Sequence, residues 1–195
     1  MRRSYTVEAI VLKRKDSGEA DRLVTLFTRQ RGKFHALAKG VRRIHSRRAA
    51  HIEQFSRVHL VITERTSFSY IGEATQVQSY SLLRKKLERA TLGYIACELT
   101  DRLTADYQEH ELIFFELATF LENLCQNDLS RSQAHSLLHS YKEKLLIELG
   151  FSAITHTLTP EKIDGFIQNL IEGELTSKKM LTKITLGEYN NSKTR

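Results

Sequence analysis

Long apolar runs are missing from this chain, cysteine is scarce and proline almost absent, and each shortage narrows what the protein can be. No stretch of about 18 apolar residues occurs, and Met1-Arg2-Arg3 leads straight into alternating residues. Neither a membrane span nor a signal peptide is therefore expected, and the expected location is cytoplasmic. The two cysteines, Cys97 and Cys125, form no CxxC pair, which argues against a disulfide scaffold or a cysteine-rich zinc site and suits a reducing compartment. No GxSxG elbow, P-loop or GxGxxG is present, and neither cysteine has a histidine close in sequence, so no catalytic set is expected and the protein reads as a non-enzyme. At 195 residues, 41% of them hydrophobic, the chain is still long enough to bury a core in one or two domains.

What is abundant is positive charge, and it is unevenly placed. Residues 1–80 carry 16 Lys+Arg against 7 Asp+Glu, a net of +9, whereas residues 81–195 carry 14 against 16, a net of −2. The segment GKFHALAKGVRRIHSRR, from Gly32 to Arg48, holds six cations and no carboxylate. Phe34, Ala36, Leu37, Ala38, Val41 and Ile44 are threaded between those cations, so part of the segment belongs to a fold and is not a basic tail. This asymmetry predicts a polyanion-binding module joined to a near-neutral scaffold or interaction module.

Periodicity divides the chain at the same place. TVEAIVLKR, RLVTLFTR, KFHALAK, FSRVHLVITER and FSYIGEA alternate with period two, separated by turn chemistry around Gly18, Gly32 and the long basic loop from Gly40 to Gln54. Five short strands in about 75 residues predict a small closed or nearly closed barrel, of which the oligonucleotide-binding OB-fold is the common version and an SH3-like barrel patterns similarly. Beyond Tyr80 the period becomes helical. Helices are expected over Ser81–Leu103, Glu109–Cys125 and Ser130–Leu149, the last stopped by Gly150, with a further short one opened by Thr159-Pro160, the only proline. The fold class is thus α+β, with a barrel domain over 1–80 and a helical domain over 81–195.

The candidate phosphate contacts are Arg29, Arg31, Lys33, Lys39, Arg42, Arg43, Arg47 and Arg48, because guanidinium forks and ammonium groups suit phosphate oxygens. If 33–39 is a strand, Lys33, His35, Leu37 and Lys39 share one face while Phe34, Ala36 and Ala38 enter the core. Tyr70 or Phe68 is then the better candidate for stacking on bases. The trio Asp16, Glu19 and Asp21 reads as turn caps and partners for Lys15 and Arg22 in preference to a magnesium site. His135 and His139 stand four apart on a predicted helix, but HSLLH lacks the glutamate of HExxH and no third ligand is evident, so no metal site is expected.

The run DSGEADRLVTLFTRQRGKFHALAKGVRRIHSRR, followed by Gln54-Phe55-Ser56, resembles the N-terminal signature of RecO, a bacterial family of recombination mediators and DNA-repair proteins. The likeness continues more loosely through Tyr94–Leu103, Leu145–Phe151 and Leu175–Leu181. It implies an OB-fold followed by a helical domain, binding of single- and double-stranded DNA, annealing of complementary strands and nucleoid association. It also implies cooperation with RecR, RecF, RecA and single-stranded-DNA-binding protein. An RNA-binding OB-fold protein is the alternative that the same charge and strand pattern would serve. The acidic, aromatic-ended tail of single-stranded-DNA-binding protein is expected on the third helix at Tyr141, Lys142, Lys144 and Leu145. Where many members have arginine before that aromatic, this chain has His139-Ser140.

Many members also carry a four-cysteine zinc element after the LGF-like motif, whereas residues 152–173 hold no cysteine. No cofactor is expected, and the helical domain must close by packing of Phe151, Ile163, Phe166, Ile167 and Leu170. Purified protein should contain no stoichiometric zinc. Elemental analysis giving one zinc per chain after a chelator wash would overturn this and bring His135 and His139 back as ligands.

Overall fold

The alternating segments form five strands, β1 (Arg3–Ser17), β2 (Asp21–Thr28), β3 (Gly32–Ala38), β4 (Arg57–Glu64) and β5 (Ser69–Gln78). They close into a barrel in the order β1-β2-β3-β5-β4, with β3 and β5 parallel and the other pairs antiparallel. This is the OB-fold, one of the two barrels the pattern allowed. The computed structural model describes residues 3–43, 46, 49–66, 68–151, 159–171 and 175–179. Two compact units are present: Met1–Tyr80 with Thr104–Ala118, and Ser81–Leu103 with Thr119–Arg195.

Closure depends on β1, whose first part, Arg3–Ile10, pairs with β4 and whose second part, Ala9–Ser17, pairs with β2. The two pairings overlap at Ala9 and Ile10, and within the β2-paired part the register skips Leu12, a bulge that bends the strand there. The Leu12 carbonyl accepts a bond from Gln54 Nε2 at 2.8 Å, and Val11 exchanges backbone bonds with Phe55 and Ser56. Inside, period two brings Val7, Ala9, Val11, Val24, Leu26 and Phe34 together with Ala36, Val58, Leu60, Ile62 and Ile71. Each such large apolar side chain is worth about 1.5–3 kcal/mol relative to exposure.

The barrel unit also takes in residues 104–118. Tyr107 N donates to the Lys33 carbonyl at 2.7 Å, the Tyr107 ring stacks on Phe34 at 5.8 Å, and Phe114 meets Phe27 at 6.3 Å. Gly32 makes this approach possible. Its φ is +64°, and a Cβ there would lie 1.8 Å from the Gln108 carbonyl oxygen.

In the helical unit, the helix expected over Ser81–Leu103 is broken into α1 (Ser81–Lys85) and α2 (Leu87–Leu103). Lys86 N donates to the Leu83 carbonyl at 3.3 Å, a tight three-residue turn that interrupts the α pattern. Two further helices follow, α3 (Glu111–Leu124), which belongs to the barrel unit up to Ala118, and α4 (Arg131–Leu146). Ser130 caps α4 with a reciprocal Ser130–Gln133 capping box. A π-turn over Ile147–Phe151 contains Gly150 at φ 93°, the left-handed position glycine adopts most easily. Pro160 opens α5 (Pro160–Leu170) behind Thr159; Ile163 and Ile167 are buried, and Phe151 packs edge-on against Phe166 at 5.4 Å.

Arg89 ties the loop between α3 and α4 to α2. Its buried guanidinium donates to the carbonyls of Leu124, Gln126, Asn127 and Leu129, satisfying the oxygens that a helix C-terminus leaves without partners. Among the described residues no helix is long and apolar enough to cross a membrane.

Gly32→Ala should cost about 2 kcal/mol or more, because a left-handed φ is combined with a collision against backbone. Gly18 shares the conformation, φ +59°, but a Cβ there meets nothing within 4 Å, so Gly18→Ala should cost about 1 kcal/mol. Urea midpoints for the two variants test this, and equal losses would remove the steric role assigned to the Gln108 approach.

Candidate nucleic-acid interface

Strand β3 has the alternation that a cationic face requires, with Phe34, Ala36 and Ala38 inside and His35 and Lys39 exposed. Lys33 departs from it. It is 8% exposed, and its Nζ lies 3.4 Å from Asp106, so the residue expected on the cationic face is drawn into packing with residues 104–108. His35 shares the Thr25 hydroxyl at 3.1 Å and stays exposed beside Asp106.

The remaining cations fall into two groups at opposite ends of β3, about 20 Å apart by strand rise. At its start, Arg29 pairs with Glu111 at 2.6 Å and lies over the Phe115 ring, and Arg31 pairs with Glu64 at 3.4 Å while lying 4.0 Å from the Tyr5 ring centre. Burial first, and the adjacent Glu64 carboxylate second, push the Tyr5 hydroxyl up to about 12. It is therefore a neutral phenol at working pH. Every cation in this group has an internal carboxylate.

At the other end, the chain leaves β3 through Lys39 and Gly40 into the basic loop. Asp21 accepts the Gly40 N–H at 2.7 Å, the Arg42 N–H goes to the Ala20 carbonyl at 2.9 Å, and the Arg42 guanidinium reaches the Gly18 carbonyl at 3.2 Å and Asp16 at 3.5 Å. The basic loop is thereby pinned to the β1–β2 turn. Asp16 also pairs with Arg22 at 3.1 Å, as the turn reading expected. Arg42 is thus partly an anchor although exposed, and Lys39 and Arg43 are exposed as well; Arg47 and Arg48 lie outside the described residues.

A feature absent from the sequence reading joins this end. Arg65, on the β4–β5 hairpin, and Lys39 both lie 5.1 Å from the centre of the Tyr70 ring, and Phe68 beside them is 57% exposed. Arg65 was a lone charge at the end of a predicted strand. Only the parallel pairing of β3 with β5 brings it near Lys39, and no local pattern encodes that pairing.

In the helical unit the four residues expected to hold an acidic tail separate. Tyr141 is 2% exposed, stacked on Phe120 and bonded to Thr100, and Leu145 is 1% exposed. Both are core residues. Lys142 pairs with Asp164 at 2.6 Å, and Lys144 is exposed. Beside Lys142 is a cavity of about 100 Å³, bounded by Ile95, Leu138, Ile167 and Leu175, with Lys178 also pairing with Asp164. Burial would raise the Asp164 carboxyl, but the two lysines hold it below its ordinary value. His135 and His139 turn to different carboxylates, Glu88 and Glu143, and among the described residues no group of three or more potential metal ligands converges.

An OB barrel with a cationic end, coupled in one chain to a helical bundle, defines the class of protein. Two family models match, Recombination protein O N terminal over residues 1–80 and Recombination protein O C terminal over residues 84–156, and the chain belongs to the RecO family. It is 36% identical to the DNA repair protein RecO of Roseiflexus sp. over 76% of this chain and 51% of that protein. It is 34% identical to that of Symbiobacterium thermophilum over 75% and 57%, and 43% identical to that of Nocardioides sp. over 54% and 43%. The matched region thus spans about half the length of these curated relatives.

Proposed function

We propose that this chain is a non-enzymatic DNA-repair and recombination mediator that binds single- and double-stranded DNA through the loop end of its barrel and anneals complementary strands. The observation that carries this is the collection of exposed cations, Lys39, Arg43 and Arg65, around one rim of the OB-fold. Contacts of this kind are made to phosphates and hold strands of any sequence. Neutralising two strands lowers their repulsion, and base pairing then completes the reaction without covalent chemistry. Assistance to RecA loading with RecR and RecF would follow from delivering such strands.

If about five phosphates of a single strand are neutralised, a slope near −0.7 per contact weakens binding roughly 100-fold between 50 and 200 mM salt. Arg43→Ala should lower the slope by about 0.7, whereas Arg29→Ala should lower it less, because that cation is already held by Glu111. Titration of a labelled strand at several salt concentrations tests this, alongside an annealing assay with product length checked. Unchanged slope and affinity in Arg43→Ala would place the DNA elsewhere.

For the helical unit we propose docking of the acidic tail of single-stranded-DNA-binding protein beside Lys142 and Lys144. The core positions of Tyr141 and Leu145 leave the lysines as the surface part of that reading, and the tail's carboxylates would take the place of Asp164. Lys142→Glu or Lys144→Glu should weaken a tail peptide about 5-fold or more while leaving binding to naked DNA nearly unchanged. Peptide affinity unchanged in both variants, or DNA binding lost in both, would refute this division of labour.

A further inference from the structure

We infer that the outer face of the β4–β5 pair, at the end where the hairpin closes, is a nucleobase subsite in which Phe68 and Tyr70 take an unpaired base while Lys39 and Arg65 hold the phosphates beside it. The inference rests on the nucleic-acid reading above and gives this rim a ligand class, a single strand in preference to a duplex.

Tyr70 sits between the buried Ser69 and Ile71, so its ring stands on the outer face of the sheet. It is in register with Leu37 on β3 and Thr63 on β4. Lys39 is two residues beyond Leu37 and Arg65 two beyond Thr63, so both return to that outer face, which is why both reach the same ring at 5.1 Å. The Arg65 N–H donates to the Phe68 carbonyl at 3.0 Å, which sets Phe68 opposite Arg65 where the hairpin closes. Two residues of strand separate Phe68 from Tyr70, a span of about 6.6 Å, close to twice the roughly 3.4 Å spacing of stacked bases. One flat base fits that interval. Beyond Tyr70 on the same face is Gly72, which adds no side chain to obstruct it.

The chemistry selects an unpaired base. In a duplex both faces of a base are covered by its neighbours, whereas a single strand can turn a face onto an aromatic ring. The exposed cation–π contacts of Lys39 and Arg65 are weaker than charge-assisted bonds to phosphate, so an arriving strand draws both cations off the ring and frees it for the base.

The chain contains no tryptophan, so Phe68→Trp introduces a single indole reporter at the subsite. It should be titrated with an oligothymidylate of about twelve nucleotides, an abasic strand of the same length and a duplex. The oligothymidylate should quench the indole, and the abasic strand and duplex should not. In the otherwise unaltered chain, Phe68→Ala and Tyr70→Leu should each weaken oligothymidylate binding about 5- to 100-fold, with duplex affinity and salt slope unchanged. Equal binding of base-bearing and abasic strands without quenching, or wild-type affinity in both variants, would overturn the subsite and leave the phosphate reading standing. Binding of none of the three would overturn both.

Discussion

The double pairing of β1 is the constraint on which the barrel depends. One strand must serve β4 along its first part and β2 along its second, with both partners held at Ala9 and Ile10 and a bulge at Leu12 inside the β2 pairing. Because side chains alternate with period two, this also decides which residues face inward: Val7, Ala9 and Val11 complete the core only in this register. The rim that carries Lys39, Arg43, Arg65 and Tyr70 exists because closure brings β3 and β5 side by side.

Charge in the barrel unit is less uniform than the net of +9 over residues 1–80 suggests, because residues 104–118 add Asp106, Glu109, Glu111 and Glu116 and no lysine or arginine. The cations at the start of β3 are paired with Glu111, Glu64 and Asp106, and of these only Lys33 is buried. Exposed pairs contribute about 0–1 kcal/mol and yield readily to competing anions. Lys33 differs in that its own side chain is buried although Asp106 is half exposed, so losing Asp106 would leave a desolvated ammonium without that carboxylate. Lys33 therefore belongs to the architecture, Arg29 and Arg31 are held in ion pairs nearer the surface, and Lys39, Arg43 and Arg65 are exposed at the far rim. Arg42 has a share in both roles, with its backbone and guanidinium fixing the loop on the β1–β2 turn.

Much of this was legible in the residues. Five alternating segments became the five strands, Ser130 and Thr159-Pro160 mark true helix starts, and Gly150 is left-handed as a helix terminator should be. These features are local, set by alternation, capping and backbone sterics. The misses are non-local. Lys33 has the spacing of a surface residue and is buried because residues 104–108 cross the start of β3. Tyr141 and Leu145 read as a helix surface because periodicity identifies an apolar stripe without saying what lies against it; Phe120 and Thr100 do. Arg65 went unnoticed because a single charge acquires meaning only from its neighbours in space.

The order in which the chain is made gives the 104–118 segment a further significance. Synthesis runs from the N-terminus at roughly 5–20 residues per second, so Phe27 and the start of β3 emerge seconds before Phe114 and Tyr107, which pack against them. All of α1 and α2 is translated in that interval. On the ribosome the nascent barrel passes through a stage in which its strands are complete but its outer aromatic surface is bare. This is the window in which a chaperone, or another unfinished chain, would find it.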